Sequence, residues 1–193
     1  MANEKRKGMH PGAFPFSVKR GASLVILSLL AFLAPSFSGS AQKLSNYYTA
    51  AIMDSGMLYF VFPLDDFQED VTRSRLIFDI SYLSSRDSAT LNFSYFLSSA
   101  DPAVGIVLRT EDGETACKAT KLFIDLEDHQ KWHHRFSTTI LLSDLAHFFR
   151  SVVPPDILIE TNESHHRYTI KKCHWKKHGS IVSSIIQMIQ TNT

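Results

Sequence analysis

The densest concentration of chemically capable side chains is HHRYTIKKCHWKKH, residues 165 to 178, with four histidines, one cysteine, two aromatic residues and five lysines or arginines but no acid. Imidazole and thiolate are the side chains that zinc and copper prefer. His174 and His178 have the spacing of one half of a zinc-type pattern, and Cys173 stands beside them. Completing a site requires ligands from elsewhere, and His129, His133 and His134 are the available source, with zinc or copper as the metal. If the segment is a regular strand, residues 173 and 174 point to opposite faces. The spacing matches no complete motif, and surface histidines on an edge strand are the simpler reading.

The same segment is a candidate anion site. Arg167, Lys171, Lys172, Lys176 and Lys177, with Trp175 and Tyr168, offer charge and stacking to a sulfate, a phosphate or an acidic lipid head. The plainer alternative is a charged edge, where lysines keep a strand from pairing with another chain.

Catalytic patterns are thin. No G-x-S-x-G elbow, H-E-x-x-H helix or glycine-rich phosphate loop occurs. A hydrolase would have to assemble its site from scattered residues, with a histidine in reach of a serine or cysteine and an acid behind it. Asp65, Asp66, Glu69 and Asp70 in PLDDFQED lack the alternating oxygens and the glycine of a calcium loop, so they read as a solvated loop. The 14 phenylalanines are core residues first.

The elements that must position these residues are mostly strands. Leu76, Phe78, Ile80 and Tyr82 alternate with polar neighbours, and Leu91, Phe93, Tyr95 and Leu97 repeat the pattern after a polar turn. Val104 to Leu108 leads through Asp112-Gly113, a pair suited to a tight hairpin, into a strand over 116–126 with Leu122, Ile124 and Leu126 inward. Trp132, His134, Phe136, Thr138 and Ile140 share one face of the next strand. The period then changes. Ser143 is placed to cap a helix carrying Leu145, Phe148, Phe149 and Val152, which Pro154-Pro155 ends. Residues 156–161 and 167–175 read as a strand pair, Ile181 to Ile189 as a short amphipathic helix, and Met57 to Phe62 as the first strand. The expected fold is mainly β (α+β): an antiparallel β-sandwich or curved sheet of about eight strands with two short covering helices.

Residues 1–41 have the layout of a cleaved signal peptide. Lys19 and Arg20 precede the apolar run from Ala22 to Ala34, and small residues follow Pro35 up to Ala41. That run is too short to span a bilayer comfortably. Residues 42–193 are then one β-rich domain, secreted or periplasmic, with no stable transmembrane segment after cleavage. Beyond Ala41 there are fifteen basic and eighteen acidic side chains, a net charge of −3, with the excess of base confined to residues 129–193. Nucleic acid is a poor partner for such a domain. In an oxidising compartment Cys117 and Cys173 are candidates for a disulfide, which would stabilise the fold by about 4 kcal/mol through loop closure.

The resulting expectation is a non-enzymatic β-rich module that binds a ligand or protein partner in an apolar groove between sheet and helices. Metal or anion binding through residues 165–178, and a small secreted hydrolase, are the alternatives.

Overall fold

The computed structural model describes residues 44–127 and 131–192. The chain divides into two units, Met1–Ser38 and Gly39–Thr193, and the description concerns the second. The expected signal peptide and His129 lie outside the described residues.

Among the described residues, ten strands and two helices form in the order β1 (Tyr48–Met53), β2 (Gly56–Glu69), β3 (Arg75–Leu83), β4 (Ser88–Leu97), β5 (Ala103–Thr110), β6 (Gly113–Lys118), β7 (Thr120–Glu127), β8 (Lys131–Leu141), α1 (Leu142–Arg150), β9 (Asp156–Thr161), β10 (His165–Thr169) and α2 (Lys172–Thr191). All strands join one antiparallel sheet ordered β6-β5-β9-β10-β2-β3-β4-β8-β7, with β1 paired to the outer part of β2. The sheet is curved and nearly closed, so the curved-sheet alternative holds and the two-sheet sandwich does not. The ends of the sheet meet where the chain passes from β6 to β7: the Ala119 amide donates to Val104 O at 3.1 Å, and Thr138 Oγ1 donates to Lys118 O at 2.9 Å.

Alternation explains the core. Phe78, Phe93 and Phe136 stand in register across β3, β4 and β8, and all three are buried on the concave face. Opposite them the convex face carries Asp79, Asn92, Ser94 and Arg135, tied together by hydrogen bonds of 2.6–3.0 Å. The helices fill the concavity. From α1, Leu145, Phe148 and Phe149 are buried, and from α2, Trp175, Val182, Ile185, Ile186 and Ile189. Each such side chain contributes roughly 1.5–3 kcal/mol by leaving water, which holds a helix that has no side-chain cap at its start.

Several expectations need correction. The loose stretch before residue 57 contains β1, and β2 runs to Glu69, so Asp65, Asp66 and Glu69 belong to a strand rather than a solvated loop. Pro63, which has no amide hydrogen to give a ladder, lies at the first of two register shifts in that strand. The strand over 116–126 is two strands broken at Ala119, and Leu122 and Leu126 are exposed by 52% and 59% because β7 is the last strand of the sheet. Ser143 does not cap α1; Leu141 takes that position without a side-chain bond, and Ser143 Oγ instead meets Asp144. The strand 167–175 ends at Thr169, and the C-terminal helix begins nine residues before Ile181, at Lys172. The β5–β6 hairpin turns one residue earlier than expected, at Glu111-Asp112, and Gly113, with φ 154°, opens β6 opposite Thr110.

Candidate functional site

The switch from strand to helix at Lys171 divides the basic segment and decides what each of its residues can do. Four cations, Lys171, Lys172, Lys176 and Lys177, fall in or beside the first two turns of α2, whose own first turn contains no acidic residue. The amides at a helix start already present partial positive charge, so lysines there oppose the helix dipole.

Lys172 and Lys176, one turn apart, form one rim of a groove between α2, the end of α1 and the loop that follows it. Arg150 and Val152 form the other rim, the Arg150 guanidinium donating to Gln190 Oε1 at 3.5 Å, toward the end of α2. The floor is Phe149 and Trp175, both buried, with ring centroids 5.8 Å apart and planes 19° from parallel. The Trp175 indole N–H donates to Ser151 O at 2.8 Å, which fixes the ring and anchors the loop. Gly179 lets the helices approach: a Cβ there would stand 3.2 Å from the Trp175 ring and 3.3 Å from Phe149 O. The volume is about 530 Å³, within the range of small-molecule sites, and among the described residues no carboxylate lines it. The groove lies between the helices, not between sheet and helices as expected.

His174 and His178 share another flank of α2 and close on one carboxylate. His174 Nδ1 donates to Asp66 Oδ1 at 2.7 Å, and His178 Nε2 meets Asp66 Oδ2. Burial holds His178 below the usual histidine range; Lys177 and His174 add to this, and Asp66 opposes it. A small cavity of about 130 Å³ adjoins the clasp, bounded by Arg73, Lys171 and Thr169 among others.

The expected metal set is dispersed. Cys173 is exposed at the start of α2. His133 stacks on Phe96 at 4.6 Å on the convex face. His134 lies on the concave face, fully buried, stacked on Tyr95 at 4.7 Å and bonded through Nε2 to Ser99 O at 2.9 Å. Among the described residues no group of three or more His, Cys, Asp or Glu side chains is arranged to hold a metal ion. The disulfide is also absent. Both cysteines are free: Cys117 is half-buried on β6, whereas Cys173 is exposed on α2.

The anion set splits as well. Arg167 on β10 donates to Asp156 of β9 at 2.7 Å, a cross-strand pair. Lys171 belongs to the small cavity, Lys177 adjoins His178, and only Lys172 and Lys176 reach the groove. Arg150 and Asp66 were not singled out as partners of this segment. Helical phase would have put His174 and His178 on one flank, but Asp66, 108 residues before His174, is brought to them only by the fold.

A serine–histidine–acid chain does occur elsewhere. Ser164 Oγ and His166 Nε2 share a hydrogen bond of 2.9 Å, and His166 Nδ1 stands 3.9 Å from Glu69 Oε1. The second distance is too long for a hydrogen bond. Glu69 Oε2 accepts from the amides of Val71 and Thr72, a turn-building role. Two amides of the turn are committed: Glu163 N donates to Asp101 Oδ2 and Ser164 N to Thr161 Oγ1. Ser164 lies in the exposed β9–β10 turn. The arrangement locks a hairpin.

Comparison of the chain with protein-family models, with curated proteins and with solved structures finds no match.

Proposed function

We propose that this protein is a non-enzymatic binding module, exported from the cytoplasm, whose ligand is a small anionic amphiphile held between α1 and α2. The observation that carries the reading is the pairing of an apolar floor, Phe149 and Trp175, with a rim of Lys172 and Lys176 and, among the described residues, no acid; Arg150 lines the far side with its guanidinium turned to Gln190. An apolar tail stacks on the aromatic floor while its carboxylate or phosphate meets the cations. Basic residues in the first turns of α2 cost the free protein stability, and a bound anion reverses that cost. The sheet's part is to hold both helices rigid from below. The hydrolase alternative is not adopted, because Ser164 lacks a hydrogen-bonded acid behind its histidine and free amides in front.

The test uses Trp175 as reporter in a Trp132→Phe background, which leaves one of the two tryptophans. Titration with decanoate below its aggregation threshold should change the emission with Kd below about 100 μM, near −5.5 kcal/mol. Decanol should bind at least tenfold more weakly, and Lys172→Glu/Lys176→Glu should lose the preference for the acid. Equal binding of acid and alcohol, or none of either, would refute the reading.

A further inference from the structure

We infer that the mouth of the groove docks on an anionic lipid surface. This extends the reading of the groove, because a bilayer is where acidic amphiphiles are held. Val152 is 83% exposed and Val153 50% exposed, adjacent apolar tips on a loop whose next two residues are Pro154 and Pro155. Proline fixes its own φ angle, so the loop is presented at little entropic cost. Val152 lines the same groove as Arg150, Lys172 and Lys176, and Trp175 ties the loop to the basic turns of α2 through Ser151 O at 2.8 Å.

Exposed aliphatic side chains with lysines on the opposite rim of the same groove, as Val152 has in Lys172 and Lys176, suit an interfacial membrane contact. The apolar tips enter the headgroup boundary, and the ammonium groups are drawn to the negative surface. A protein partner fits less well, since lysine is depleted in protein–protein interfaces and two valines form a small apolar centre. The other basic residues of the segment agree with this division of labour. Arg167, already paired with Asp156, stands apart from the groove, whereas among the described residues no carboxylate lines the groove beside Lys172 and Lys176.

The experiment reads the loop itself, so that the apolar run at residues 22–34 cannot mimic the result. In the full chain with Cys117→Ser and Cys173→Ser, Val153→Cys carries an environment-sensitive fluorophore, and a second protein carries it at Leu122→Cys on β7. Vesicles of phosphatidylglycerol should shift the emission of the residue-153 label to the blue and raise it severalfold. Vesicles of phosphatidylcholine should not, and the residue-122 label should stay unchanged in both. Raising salt from 50 to 500 mM should weaken the response at least tenfold, as screening demands. Val153→Glu, which does not line the groove, should retain decanoate binding by Trp175 emission. A silent residue-153 label, or equal responses to the two lipids, overturns the docking surface. Decanoate binding by Trp175 emission then decides separately whether the groove reading stands.

Discussion

The indole of Trp175 and the carbonyl of Ser151 are joined at 2.8 Å, and this bond links the start of α2 to the end of α1. Trp175 also lies within 5.7–6.3 Å of Phe67, Phe148 and Phe149, ring centre to ring centre. One side chain thus connects sheet, both helices and the groove floor. Trp175→Phe keeps an aromatic ring but leaves Ser151 O without its donor. It should cost roughly 1–3 kcal/mol in urea unfolding, the range for an unmet buried hydrogen bond with some packing loss. A variant as stable as the parent would show that the bond does not anchor the loop.

Asp66 and its neighbour Asp65 make a contrast of context. Asp66 is 20% exposed and serves both His174 and His178, whereas Asp65 pairs with Arg75 at the surface, both side chains being at least half exposed. Asp66→Ala strands the ring nitrogen of half-buried His178 and should destabilise by roughly 1–3 kcal/mol. Asp65→Ala should stay within about 0.5 kcal/mol, as exposed pairs do. Chemical denaturation of the two variants side by side checks this, and equal losses would mean that the clasp holds nothing.

The strands were legible in the sequence where one face is buried and the other wet, as at Phe93 and Asn92, because burial imposes period two. Ala119 was not, since a chain that bends from one strand to the next keeps its apolar pattern while changing partners. The start of α2 was hidden by overlap of two periods. Tyr168 and Ile170 alternate as a strand should, and Trp175 then falls on the opposite parity. Trp175 is in phase instead with Gly179, Val182 and Ile186, at steps of four, three and four. That phase is the signal that would have moved the helix start to Lys172 and put His174 and His178 on one flank. The groove itself had no sequence signature, because Phe149 and Trp175 are brought together only by the packing of α1 on α2.

The two thiols differ in surroundings and should differ in behaviour. Burial pushes the Cys117 thiol up from its ordinary value, the Thr138 hydroxyl opposing, while Cys173 is exposed. A thiol reagent at pH 8 should modify Cys173 at once and Cys117 only slowly until the protein unfolds. Reducing agent should leave the unfolding midpoint unchanged. A midpoint that falls on reduction would mean that the cysteines bond in solution.

His134 makes stability depend on pH with a definite sign. Its ring is fully buried between Tyr95 and the concave face, so burial holds its pKa below the ordinary 6.5, with His133 and His166 adding and Ser99 O and Asp101 opposing. The unfolded chain therefore takes up a proton near pH 6.5 that the folded chain refuses. Between 6.5 and the lower folded value the unfolded state binds more protons, and stability falls as the pH is lowered. His134→Phe removes the group while keeping a ring to stack on Tyr95. The parent should lose more stability than this variant between pH 7 and pH 5, by up to about 1.4 kcal/mol for each unit of the shift. Parallel curves for the two proteins across that window would show that His134 accepts its proton in place.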